Sequence, residues 1–185
     1  MNMRILRLRA ALISIAGVTI LMTTGCTTDN FMSKPLRPVE HVDVPRYMGN
    51  WHVIANIPYF AERGCHDSVE SYALRNDGRI DNWFSCRRGS PDAKFERKAN
   101  AIARITNTKN NAEWSVKFFH LISVDYLVLE LDADYRWAVI GHPSRKYGWV
   151  VAREKRLDDA TYSSIMERVA EQGYDTDKFV KVPQR

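Results

Sequence analysis

From Met48 onward the chain alternates with a period of two. Trp51, Val53, Ala55 and Ile57 interleave with His52, Ile54 and Asn56 before Pro58 ends the run. That period places successive side chains on opposite faces of a strand, so one face meets a core. Seven further runs follow, over residues 69–74, 80–86, 94–105, 114–119, 124–131, 137–140 and 147–153. The breaks between them are short. Asn76-Asp77-Gly78 is a strong hairpin turn, and Gly89-Ser90-Pro91-Asp92 and residues 107–111, 132–134 and 141–144 supply the others. Eight short strands with hairpin-length breaks predict an all-β chain, an up-and-down antiparallel barrel or a sandwich.

One stretch departs from this period. Asp158 is a helix-capping residue, and Tyr162, Ile165, Met166 and Val169 recur at helical spacing before Gly173. This is a C-terminal α-helix whose apolar stripe packs on the body of the protein. Val180 and Val182 suggest a short extra strand beyond it. Charged residues at 26% and a mean hydropathy of -0.38 exclude a polytopic helical membrane protein, and 11% aromatic content argues against disorder. Neither an internal repeat nor a second domain is evident.

The first 25 residues read as an address. Arg4, Arg7 and Arg9 precede an apolar run, 10–22, that matches a signal-peptide core and is short for a bilayer span. Thr23-Thr24-Gly25 and Cys26 follow, and this resembles a bacterial lipobox, in which the cysteine becomes a diacylglyceryl-modified N-terminus. Thr23 departs from the usual Leu of that motif. An ordinary secretory signal or an uncleaved anchor are the alternative readings. Residues 26–45, with three Pro, read as a tether and 46–185 as the folded domain. Loss of residues 1–25 removes three basic residues and no acidic one, so the net charge falls from +5 to +2. That is not a nucleic-acid footprint. By resemblance to lipoprotein sorting signals, Thr27 in place of Asp after Cys26 favours the outer membrane, on its periplasmic side.

Three stretches carry a resemblance to a known family. Gly49-Asn50-Trp51 followed by His52-Val53-Ile54-Ala55 matches G-x-W-y-x-i-A at the start of a first strand. Residues 60–78 read F-x-x-x-G-C and then S-V-x-x-Y-x-L-x-x-D-G. Residues 147–153 match Y-x-W-i-l-s-R on a last strand, and Asp132-x-x-Tyr135 matches part of a third element. In this order and spacing they resemble lipocalins, in particular bacterial outer-membrane members related to apolipoprotein D. The resemblance implies an eight-stranded antiparallel barrel, wide enough to hold one small ligand. It gives Gly49, Trp51 and Arg153 structural roles, with Arg153 over the Trp51 indole at the closed end.

Strand parity counted from Trp51 places Val53 and Ala55 inward. Alignment with the family adds Tyr72, Phe84, Ala101, Ala103, Val116, Phe118, Tyr126 and Val128 as cavity residues, and the same parity puts Glu70 and Glu130 on the inward face. Alanine on one wall and aromatic rings opposite suit a fatty acid or lysophospholipid, since burial is worth about 0.8 kcal/mol per methylene. Glu70 and Glu130 stand where relatives more often carry Ala. They are placed at a wet mouth or in a salt bridge, against a ligand head group, or as an acid/base pair, because bare carboxylates in an apolar cavity are costly. The residues leave open whether the chain forms a homodimer.

Cys65 and Cys86 remain once Cys26 is set aside, and an oxidising envelope makes a disulfide the default, one that family resemblance supports. The competing reading is a cavity enzyme, an isomerase or a lipid-modifying barrel, using Cys65 or the Glu70 and Glu130 carboxylates. Nothing in the sequence joins a nucleophile to an oriented base. His41, His52, His66, His120 and His142 are scattered, without zinc spacing, so neither a metal nor a cofactor is implied. The function expected is lipid binding and storage or transport.

Overall fold

The computed structural model describes residues 34–185 except Phe95 and His120. Strands β1 (Gly49–Asn56), β2 (Cys65–Leu74), β3 (Ile80–Arg88), β4 (Glu96–Ile105), β5 (Glu113–Phe118), β6 (Ile122–Leu131), β7 (Trp137–Gly141) and β8 (Gly148–Ala152) follow one another. Each pairs antiparallel with the next, and β1 pairs with both β2 and β8, which closes the barrel. A two-residue strand β9 (Val180–Lys181) adds to β1 where β2 diverges from it. Of the two architectures open to the alternation, the closed barrel is therefore the one adopted.

Two apolar clusters sit on opposite sides of the barrel wall. The inner one includes Trp51, Val53, Tyr72, Ile80, Ala103, Trp114, Val116, Val128, Ile140 and Val151. The outer one lies between the wall and helix α2 (Asp159–Glu171), where Ile165 and Val169 meet Leu129, Val139, Val150 and Ala152. Asp158 caps this helix through its side chain to the Thr161 N–H at 2.9 Å, and Gly173, at φ +82°, ends it in the left-handed region.

The hairpins β1–β2, β3–β4, β5–β6 and β7–β8 gather at one end of the barrel. The other end is closed by residues 39–47. There Val42 is fully buried, the Val39 and Val42 N–H groups donate to the Val128 and Asn110 carbonyls at 2.9 and 2.8 Å, and a one-turn helix α1 (Val44–Tyr47) presents Tyr47 to the interior. The Gln172 side chain also bonds both backbone groups of Arg37. The described part of the expected tether is thus packed on the domain, because Val39, Val42 and Val44 are apolar and have a core to join. The expected leader, residues 1–25, and Cys26 lie outside the described residues.

Cys65 and Cys86 form a disulfide with Cα atoms 5.4 Å apart. It staples the start of β2 to β3 and, by the chain-entropy argument, contributes about 3 kcal/mol.

Candidate functional site

The closed end is built around Trp51. The Arg153 guanidinium lies 3.8 Å above its ring, and its nitrogens donate to the carbonyls of Asn50 and Arg46, both at 2.8 Å, and of Met48 at 2.9 Å. One planar cation thereby satisfies backbone acceptors that α1 and the start of β1 leave unpaired. Gly49, at φ +94°, lets the chain turn beneath that guanidinium; a Cβ there would stand 3.3 Å from Arg153 Nη1.

Around Trp51 the closed end is packed with rings. Trp114 stacks on Tyr126 with centroids 4.8 Å apart, and the Tyr47, Tyr126 and Tyr72 hydroxyls form a chain of hydrogen bonds at 2.8 and 3.1 Å. Burial pushes the pKa values of all three tyrosines well up, so they stay neutral hydrogen-bonding groups. This aromatic layer, with Ile80, Ala103 and Val128, is the floor of the lumen.

Above the floor the inward positions retain accessible surface. Register carries parity from strand to strand: Phe84 faces Glu70 and Ala99, Ala101 faces Phe118, and Val116 faces Val124. Phe84, Ala99, Phe118 and Val124 are each partly exposed, toward the end where the four hairpins gather. Val53, Tyr72, Ala101, Ala103, Val116, Phe118, Tyr126 and Val128, all expected inward, belong to or pack against the inner cluster.

Two expected cavity residues lie outside the barrel. Ala55 packs under α2, because a β-bulge in β1 makes Ile54 an extra residue and reverses the parity after Val53. A second bulge, at Leu129 in β6, turns Glu130 outward, where it accepts from Arg168 of α2 at 3.2 Å. Of the three readings offered for Glu130, the salt bridge is the one realised. Glu70 and Glu130 are on opposite sides of the wall and cannot act as a pair.

Glu70 does face the lumen. It is half-buried, and Asn82 donates to one of its oxygens at 2.6 Å. Burial, opposed by that hydrogen bond, pushes its pKa up to about 8. A second carboxyl joins it. Glu62, from the β1–β2 loop, is buried and accepts from Asn56 and from Trp149 Nε1 (3.1 and 3.2 Å); its pKa is pushed up to about 7, again chiefly by burial. Sequence reasoning missed Glu62 because a loop residue has no parity to read. Asn56 is inward for the same reason that Ala55 is not, while Asn82 and Trp114 share parity with Phe84 and Val116 and were legible. Among the described residues no group of three or more His, Cys, Asp or Glu is arranged to hold a metal ion.

A family model described as a lipocalin-like domain matches residues 42–184. The chain belongs to the lipocalin family. Its relatives include temperature-induced lipocalin-1 of Arabidopsis thaliana, 33% identical over 82% of this chain and 84% of that protein. The outer membrane lipoprotein Blc of Escherichia coli K12 is 30% identical over 79% and 81%, and mouse apolipoprotein D is 26% identical over 94% of each. Among solved structures, insecticyanin from the tobacco hornworm superposes with a TM-score of 0.63 at 18% identity, covering 81% of this chain and 85% of that one. This likeness speaks to the lipocalin barrel alone. The chain is accordingly a lipocalin ligand-binding protein, with its lumen as the candidate site.

Proposed function

We propose that this lipocalin takes up a lipid, such as a fatty acid or lysophospholipid, in the lumen and stores or carries it at the cell envelope. The supporting observation is the step in packing along the barrel. Rings fill the closed half, while Phe84, Ala99, Phe118 and Val124 keep accessible surface above them. Apolar surface left open inside a wall is surface that an apolar ligand removes from water, at about 25 cal/mol per Å². The similarity to the outer membrane lipoprotein Blc of Escherichia coli K12 supports an anchor at Cys26 on the periplasmic side of the outer membrane. The competing enzymatic reading has little to work with among the described residues: Cys65 is bound to Cys86, and Glu130 is outside the barrel.

Native mass spectrometry of protein purified from membranes, followed by lipid extraction, tests the carrier. A stoichiometric acyl lipid is expected. An empty barrel that also fails to bind a fluorescent fatty acid at about micromolar concentration defeats it. For the anchor, Cys26→Ser should release a soluble periplasmic form; a variant that fractionates with membranes as before removes the assignment.

A further inference from the structure

The lumen is polar where an acyl carrier has most to gain from being apolar. Glu70 rises from β2 directly above the aromatic floor, opposite Trp51 on one side and Phe84 on the other. Among the described residues only Asn82 donates to it, at one oxygen, which leaves the second without a donor. Glu62 enters the same space from the loop above, only 6% exposed, and its partners Asn56 and Trp149 are both neutral. Neither carboxyl forms an ion pair with any described residue. One basic side chain acts on them through space, Arg97, which shares the inward parity of Ala99 on β4 and whose field reaches Glu62 without an ion pair.

A carboxyl group in this position has two ways to avoid the cost of buried charge: it keeps its proton, or it meets a cation. Burial favours the protonated form of both near neutral pH, more strongly for Glu70 than for Glu62. An ammonium group would reverse that. It brings three N–H donors, one of which the free oxygen of Glu70 can accept, while the Glu62 carboxyl acts on the same site through its field. A fatty-acid carboxylate would instead add a third acid beside the two already present.

We propose that the lumen discriminates by head group: Glu70, assisted by Glu62, selects amphiphiles bearing a cationic nitrogen over fatty acids of equal length. The apolar body would run toward the mouth past Ala99, Phe118 and Val124. This rests on the reading that the barrel binds an apolar-bodied ligand, and narrows it.

Three twelve-carbon probes that differ only at one end separate the two claims: dodecylamine, dodecanol and dodecanoate, titrated into the full chain by calorimetry at neutral pH. The amine should bind about tenfold or more tightly than the alcohol, with the acid weakest, as a charge-assisted hydrogen bond predicts. Glu70→Gln should bring the amine-to-alcohol ratio close to one and Glu62→Gln should lower it in part. Glu130→Gln, on the outer wall, should leave it unaltered. An acid that binds as well as the amine, or a ratio that survives Glu70→Gln, overturns head-group selection and leaves the lipid reading intact. Should none of the three bind, both fall together. The wild-type ratio alone decides the matter if a Gln variant does not fold.

Discussion

Glu70 retains a proton over much of the range in which the unfolded chain has released it, because its pKa rises from an ordinary 4.5 to about 8 in the fold. The stability tied to that proton is fully present below the unfolded value and is lost as pH rises through the folded one. Glu62, raised to about 7, adds to the same window. Asp67 and Asp132 act in the opposite sense. Against the opposing effect of burial, the Arg185 N–H, Lys155 and Arg87 around Asp67, and Arg136 beside Asp132, hold those carboxyls below their usual range, so their contribution disappears in acid. Stability of the ligand-free protein should therefore peak at about pH 5 and decline toward pH 9. Urea unfolding across that range should show Glu70→Gln flattening the alkaline limb: more stable than wild type at pH 9, little changed at pH 5. A variant with the same alkaline decline as wild type would show that Glu70 is not the group responsible.

Elements were legible where one rule governed them and opaque where two competed. Strict alternation from Trp51 places Val53 correctly, and the turn at Asn76-Asp77-Gly78 opens its hairpin as read. Alternation alone then puts Ala55 inside. It fails because β1 and β6 serve two cores, the lumen and the bed of α2, and each strand spends one extra residue, Ile54 or Leu129, in switching allegiance. The sign was present in the consecutive apolar pairs Ile54-Ala55 and Val128-Leu129, which a strand with one buried face does not need. Residues 39–47 were opaque for another reason, since an irregular segment carries no period at all. The outer core is tight where β7 passes under the C-terminal segment. A Cβ on Gly141 would collide with Leu129 and stand 2.6 Å from the Tyr174 hydroxyl, which bonds the backbone of His142 and Tyr147. Gly141→Ala should cost about 1–3 kcal/mol by thermal or chemical denaturation, as overpacked sites do, without touching the lumen. An unchanged midpoint would mean that this seam yields more easily than its contacts indicate.

At the scale of the whole molecule, the barrel is shut by its two distant ends. β1 and β2 stay paired only from Gly49 to His52, and the gap above is bridged by the C-terminal residues. The Val182 N–H donates to the Ile54 carbonyl at 2.9 Å, the Asp67 N–H to the Pro183 carbonyl at 2.8 Å, and the Gln184 side chain to the Val53 carbonyl at 2.7 Å. Deleting residues 180–185 unseats these bonds together, at about 1 kcal/mol each. Amide exchange should then accelerate at Asp67 and in the upper half of β1 while β3–β5 remain protected. Uniform protection across the sheet would show the segment to be ornamental.

The pairing of β1 with β8 also sets an order of events in biosynthesis. Residues 49–56 wait for residues 148–152, so a nascent chain emerging N-terminus first holds its opening strand without a closing partner until more than four-fifths of the 185 residues have been made. Hairpins are free to form on the way, but neither the lumen nor its carboxyl pair exists until then. Until β8 is made the chain is a string of unclosed strands, and only with β8 does it become a container.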